Sequence, residues 1–514
     1  MRPSTFAFLL GAAVLGLMPA ASAQEKGGVI DVATIGEPPT LDAMVSSTDI
    51  VGMISQHIFE TLFTFDSDWN VAPLLAKSLP TISDDARTYT ITLRDGVKFH
   101  DGSVMAASDV VASLKRWMVV GGRGKQVAEN VASVEAVDGN AIQITLKEPY
   151  SPLLSLLAFN NSAAIIIPEK TIPQDGGVTP LATFVGTGPY KLQEHKPDQY
   201  IQLVRFDDYS MRDEEPSGFA GARHAYLDEI RFVPVPDINT RTEGAIAGQF
   251  AFADTLPVES YERLEAGKSE PVLLEHFGWP IFVMNTKEGL LSDMRVRQAL
   301  QAALNTGDML AAAFGDTKFY AVDGPMYPAN YAWRTDVGVE LYNQGNAEKA
   351  KELLAAAGYD GKPLRILTSR QYEFHYKMAL VAQAYLEQAG FKVDMQVVDW
   401  ATLVQRNKKP DLWEIFITHS PFLPEPALNF ILSKSAGGWW DSPEKEKAMA
   451  AFTSTSDLEE RKAHWEEIQK LIFEQAPIVK VGDFASLSAK SPALEGFRPS
   501  PWPAFWNVSL NDKQ

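Results

Sequence analysis

Apolar and polar positions alternate along this chain at two periods, and the period changes with position. In the first third it is mostly two. "RTYTITLRDGVKFHDG" (87–102) alternates as a strand and ends in two Asp-Gly turns; "SVEAVDGNAIQITL" (133–146) reads as a hairpin with Asp138-Gly139 at its tip. Between them, "ASDVVASLKRWMVV" places Val110, Leu114, Trp117 and Met118 on one helical face. Farther on, helix and strand alternate. "SDMRVRQALQAAL" starts at a Ser292 N-cap and repeats Val296, Ala299, Leu300, Ala303 and Leu304 on one side. "NAEKAKELLAAAGY" runs from an Asn346 cap to Gly358. "YKMALVAQAYLEQAG" is another helix ending in glycine, and "FKVDMQVV" follows it as a strand. "SDLEERKAHWEEIQKLIFEQAP" opens with a capping box, Ser456 with Glu459, and stops at Pro477. "DLWEIFI" and "IVKV" read as buried strands. This alternation over 280–485 predicts a wound α/β domain, and the hairpin-rich first half a separate lobe. Two lobes leave a crevice, where small ligands usually bind.

The N-terminal "MRPSTFAFLLGAAVLGLMPAASAQEKG" has an early charge, an apolar run broken by Pro19, and Ala21-Ser22-Ala23 before Gln24. That pattern predicts a secretory signal over 1–23, cleaved near Ala23. A second apolar region, 151–167, carries Asn160 and Asn161 in its middle and is too short and polar to cross a bilayer. The chain has no cysteine, which excludes disulfides, thiolate metal sites, cysteine nucleophiles and a lipidated cysteine. A net charge of −19 disfavours nucleic acid and anionic membranes and suits a soluble monomer.

Catalytic signals are sparse. "LEAGKS" (264–269) lacks the first glycine of a phosphate loop. "GGRGK" (121–125) is either an anion nest beside Arg123 and Lys125 or a flexible loop after a helix. The eight histidines include no pair at three- or four-residue spacing, and no Gly-x-Ser-x-Gly elbow occurs. These observations predict a protein that is not an enzyme, with no cofactor and no metal site.

"RDGVKFHDGSVMAASDVVASLKR" (94–116) closely resembles the signature of the large extracytoplasmic solute-binding proteins of peptide, nickel and opine ABC transporters, family 5. "PPTLDAMVSSTDIVGMISQHIFETLFTFD" (38–66), "GTGPYKLQE" (186–194), "MNTKEGLLSDMRVRQALQAALN" (284–305) and "DLWEIFITHSPFLPEPALNFIL" (411–432) resemble its other segments in order. The resemblance implies an α/β, two-lobed periplasmic-binding-protein fold of type II, in the large peptide-binding class. Lobe I would be 24–275 plus 486–514, with an extra subdomain at about 67–184, and lobe II 276–485. The ligand would sit between the lobes in the periplasm, for delivery to the transmembrane permease subunits, with the ATPase on separate subunits.

By the same resemblance, peptide binders of this family place an ammonium-binding aspartate in the loop that aligns with "THSPFLPEPALNF" (418–430). Aligning Pro424-Glu425-Pro426 with the family's Pro-Asp-Pro puts Phe422 at that position, so the free-N-terminus site is expected to be missing. A phenyl ring supplies no carboxylate, although it stacks on apolar faces and holds cations weakly. Prolines stiffen the loop before the ligand arrives. Further wall candidates are Trp400, Trp439, Trp440 and Trp279, with hydroxyls from Ser46, Ser47 and Thr48 on the other lobe. Arg370 and Arg406 are possible carboxylate clamps. The expected ligand is peptide-like, opine-like or a glycoconjugate without a standard α-ammonium. The alternatives are ordinary di- or oligopeptides with Glu425 or His419 as ammonium partner, a metal chelate, a two-lobed hydrolase, or a sensor presenting its ligand to a membrane receptor.

Overall fold

Residues 26–511 are described by a computed structural model of the chain; the predicted signal over 1–23 lies outside the described residues. The predicted hairpin forms as Val131–Asp138 against Ala141–Leu146, with Thr88–Thr92 beside the second strand and Thr81–Ile82 at the far edge. One face of this four-stranded sheet turns Tyr89, Ile91, Ile142 and Ile144 inward, as strand alternation requires. The helix Ala107–Val120 packs against it through Val110, Leu114 and Trp117. Arg116 of this helix is also buried and forks onto Asp42 at 2.6 and 3.2 Å, so each charge meets its match inside the core.

A twelve-stranded mixed sheet organises the rest. Val29–Thr34 pairs in parallel with Glu229–Pro234 on one side and Phe252–Leu256 on the other. Asp483–Lys490 runs antiparallel to Phe252–Leu256 and to the start of the fifteen-residue strand Glu270–Met284. The ladder of that long strand with Asp483–Lys490 breaks register between Leu274 and Gly278, where His276 takes φ 51°. Beyond the break it pairs with Ile415–Pro421 and Ile478–Lys480, which carry the sheet into the second half of the chain. Pro363–Thr368 and Lys392–Val397 complete that side in parallel. Three buried apolar cores result. One gathers mostly residues 30–252 and the C-terminal tail, and two lie under the helices and strands of the second half.

Asn346 caps Ala347–Ala357, and Gly358 ends it in the left-handed region, as the pattern predicts. Two other caps move by one residue. Asp293, not Ser292, accepts the Arg295 N–H, and Asp457, not Ser456, accepts the Glu460 N–H. In both Ser-Asp pairs the carboxylate wins, because it adds charge at the positive end of the helix to the capping hydrogen bond. "GGRGK" is neither a nest nor a loop but the start of a helix, Gly122–Ala128. Gly124 is required by close approach, since a Cβ there would lie 2.0 Å from the Trp117 carbonyl oxygen. Among the described residues no helix is long and apolar enough to span a membrane.

Candidate functional site

The strand Ile415–Pro421 delivers the proline-rich loop into a seam between the cores. Leu423 and Leu428 join the N-terminal core, whereas Phe422, Ala427 and Ile431 belong to a C-terminal one. The Phe422 N–H donates to the Phe277 carbonyl at 2.6 Å, tying the loop to the long crossover strand. The loop carbonyls are occupied as well. Pro424 accepts from the Tyr331 hydroxyl (2.7 Å) and the Trp333 indole (3.1 Å), Ala427 from Gln126 (3.3 Å) and Leu428 from Arg123 (2.9 Å). Arg123 and Gln126 stand on the helix Gly122–Ala128 of the opposing core, so their bonds bridge the seam. This loop is a fixed wall.

Phe422 is 8% exposed and sits in an aromatic cluster, with ring centroids 5.0 Å from Tyr331, 5.2 Å from Trp69 and 6.3 Å from Tyr327. Trp69 reaches it from the N-terminal half on a tight turn in which Asp66 accepts the Asp68 and Asn70 N–H groups, and it takes φ 63°. Such a conformation costs about 1–3 kcal/mol and persists where surroundings enforce it. Glu425 is turned away from solvent into a pair with Arg461, at 2.6 and 3.3 Å. Burial pushes its carboxyl up and Arg461 pulls it back. Its charge is therefore matched within the protein.

Upstream of the loop, His419 Nδ1 lies 3.1 Å from Nε2 of the fully buried His375. Burial pulls His419 down to about 4 and His375 well below the ordinary range, so both are neutral at pH 7 and one donates to the other. Tyr372 packs edge-on against His419 and against Trp400, both at 4.9 Å. Trp400 opens its short helix with its N–H on Gln371 at 2.5 Å.

The first half of the chain adds two carboxylates of its own, Asp49 and Asp254. Asp49, at the start of the helix Asp49–Ser55, accepts from the Trp502 indole at 3.0 Å. Burial, aided by the nearby Asp254 charge, lifts its carboxyl to about 6, and burial lifts Asp254 too. The Tyr372 hydroxyl feels both carboxylates and is pushed up to about 12, chiefly by burial. Ser46, Ser47 and Thr48 lead into the helix Asp49–Ser55: Ser46 and Thr48 hydroxyls share a 3.0 Å bond, and the Ser47 carbonyl accepts from Asn161. A cavity lined by Gln56, Glu60, Trp69, Phe159, Asn160 and Trp502 adjoins it.

The other sequence candidates take partners of their own. Trp279 is 2% exposed on the crossover strand, against Tyr327 and under the Lys480 ammonium. Trp440 is buried and donates to Gln475 at 2.7 Å, while Trp439 stacks on Trp413 at 5.6 Å. Arg370 is exposed over the Tyr376 ring, and Arg406 reaches Gln396 at 3.4 Å. Sequence reading passed over Asp49, Asp254, Tyr372, Trp69 and Trp502. One signal was available: Asp254 interrupts the otherwise apolar start of "FADTL". Among the described residues no group of three or more metal-ligating side chains comes together.

The model of the bacterial extracellular solute-binding proteins, family 5 (middle), matches residues 70–439. The chain is 30% identical over 499 residues to the "Probable peptide ABC transporter periplasmic-binding protein y4tO" of Sinorhizobium fredii, covering 92% of this chain and 91% of that one. It is 27% identical over 483 residues to the glutathione-binding protein GsiB of Salmonella typhi, covering 89% of each. Of solved structures, the Bacillus subtilis oligopeptide-binding protein AppA in complex with a nonapeptide superposes with a TM-score of 0.80 at 25% identity, over 95% of this chain and 100% of that one. The periplasmic binding protein AgaA from A. tumefaciens, in complex with agropinic acid, matches in fold with a TM-score of 0.81 at 24% identity, over 95% and 99% of the two chains. The fold is the two-lobed α/β architecture of periplasmic binding proteins of the peptide-binding class.

Proposed function

Because the chain belongs to the bacterial extracellular solute-binding proteins of family 5, substrate-binding components of ABC importers and not enzymes, we propose that it captures a peptide-like, opine-like or glycoconjugate solute without a standard free α-ammonium. Lobe I (24–275 plus 486–514) and lobe II (276–485) close over the solute and hand it to the permease. The protein acts in the periplasm as a monomer, after loss of its signal near Ala23. The carrying observation is the late loop. Phe422 stands where the family resemblance expects an aspartate, and the adjacent Glu425 is consumed by Arg461. An ammonium buried there would find no free carboxylate, which is costly.

Thermal unfolding of the mature protein against free di- and tripeptides, their N-blocked forms, and sugar or keto-acid conjugates of amino acids tests this reading. A ligand at about a hundred times its Kd stabilises by roughly 2.7 kcal/mol. Stabilisation by blocked or conjugated compounds alone supports it. Stabilisation by free peptides alone favours ordinary peptide binding, as the names of the Salmonella and Bacillus relatives suggest, with Glu425 or His419 as ammonium partner.

A further inference from the structure

The His419 ring packs against Phe277 of the strand Glu270–Met284 (centroids 6.4 Å apart) and Phe484 of Asp483–Lys490 (5.9 Å), the strands that join the halves of the sheet. Contacts between the halves flank it. Lys377, on the same helix as His375 (Glu373–Gln388), reaches Glu259 at 2.6 Å, and the loop after His419 takes the bonds from Arg123 and Gln126. His419 thus stands at the junction where the crevice lies. Its ring nitrogens have different surroundings. Nδ1 meets His375 Nε2 at 3.1 Å, whereas Nε2 points away from that contact and has no hydrogen-bond partner among the described residues. His375 is fully buried, so the exposed part of the half-buried His419 is its Nε2 edge. The proton in the Nδ1–Nε2 contact has two possible owners. If it sits on His419, then His375 must carry its own proton on Nδ1, an atom sealed from solvent with no partner. If it sits on His375 Nε2, the sealed Nδ1 is a bare nitrogen beside the Phe374 ring at 4.3 Å, and His419 is protonated at Nε2. The second arrangement wins: it buries no unpaired N–H, the rarer defect in protein interiors, and it puts both rings in the tautomer that neutral histidine prefers.

We propose that His419 is a specificity-determining residue of the binding site: its Nε2–H, fixed in place by His375, donates to a carbonyl oxygen of the solute. A neutral N–H matches a neutral acceptor. A carboxylate would be buried there without a countercharge from the histidine pair, and a hydroxyl, donor and acceptor alike, would not be discriminated. An ammonium would meet an N–H instead of a lone pair, and a solute with no acceptor at that point would leave the N–H unsatisfied. This rests on the family-5 binding role above and names a group its ligand carries. It also accords with the late loop, since acylated and opine-like solutes bring carbonyls where free peptides bring an ammonium.

The test begins with nitrogen NMR of the mature wild type, isotope-labelled in its histidine rings. The expected spectrum shows coupling across the His375–His419 hydrogen bond, with the proton on His375 Nε2 and His419 protonated at Nε2. A proton on His419 Nδ1 overturns the proposal without any variant. N-acetyl-Leu-Gly and free Leu-Gly are then titrated into wild type, His419→Phe and His419→Gln by calorimetry, and into labelled wild type by NMR. The expected result is binding of the acetylated probe with a shift of the His419 Nε2–H resonance. His419→Phe, which keeps a ring and loses the N–H, should weaken that binding about ten-fold, and His419→Gln, which restores an N–H, should recover it to within about three-fold. A merely structural role would move neither the resonance nor the glutamine rescue. Preferred binding of free Leu-Gly with the same loss and rescue overturns the blocked-ligand reading and retains the His419 donor. An affinity within about two-fold of wild type in His419→Phe overturns the donor whichever probe binds. So does an Nε2–H resonance that neither probe moves, and this wild-type measurement decides alone if His419→Phe does not fold.

Discussion

Replacing Glu425 by glutamine should loosen the wall that carries Phe422. The Glu425 and Arg461 side chains are 6% and 10% exposed and meet through two N–O contacts, the shorter at 2.6 Å. The guanidinium is also sandwiched 4.9 Å from the Trp333 ring and 4.4 Å from Phe452, where water cannot replace a lost carboxylate. Removing one partner of such a pair costs about 3–5 kcal/mol. Glutamine keeps one acceptor, so the loss should fall at the lower end, about 3 kcal/mol. Arg461→Met strands the acid instead and should cost a similar amount, whereas Glu425→Gln with Arg461→Met leaves no charge behind. The double variant should therefore recover at least about 2 kcal/mol relative to the sum of the singles. Urea unfolding followed by tryptophan fluorescence measures all four proteins. Singles within about 0.5 kcal/mol of wild type, or a strictly additive double variant, would refute the claim that this pair fixes the loop.

Gly278→Ala would place a Cβ 1.9 Å from the Ser420 carbonyl oxygen, forcing the crossover strand off the base of the loop. The expected loss is about 1–3 kcal/mol from overpacking, together with weaker ligand binding; a variant that unfolds and binds as wild type does would contradict the close approach. Asp49 is lifted from 3.8 to about 6. A folded-state value above the unfolded one contributes stability that is complete below pH 3.8 and is lost as pH rises through 6. Apo Asp49→Asn should thus gain in melting temperature on wild type between acid and neutral pH, and a constant difference would count against the buried carboxylate. His419 is lowered from 6.5 to about 4, so its contribution is present above pH 6.5 and is lost as pH falls through 4. His419→Gln should blunt acid destabilisation in that window, and an unchanged pH profile of melting temperature would remove His419 from the buried pair.

Much of the scaffold was legible because local signals and tertiary packing agree. The helix from Asn346 to Gly358 has both caps in the sequence, and the hairpin at 131–146 has its turn residues and its alternation. "GGRGK" misled because its glycines answer to a neighbour: Gly124 presses on the Trp117 carbonyl, a contact absent from any local pattern. The late loop was found from its prolines, yet its lining was not. Trp69 lies some 350 positions away and reaches Phe422 only through the fold. Asp49 and Asp254 were hidden for a different reason, since they are two of 65 acidic residues and no local pattern marks either of them out.

The bridging bonds of the proline-rich loop end on its main-chain oxygens, at Ala427 and Leu428. A carbonyl is the same group whatever side chain its residue bears. Substitutions at those two positions would therefore leave the grip of Arg123 and Gln126 chemically intact, while substitutions at Phe422 would alter what the wall offers a solute. In evolutionary terms, joining the two halves and selecting the cargo are written in separate alphabets, one of backbone and one of side chains. A lineage with this loop has a route to new cargo that does not first dismantle the joint.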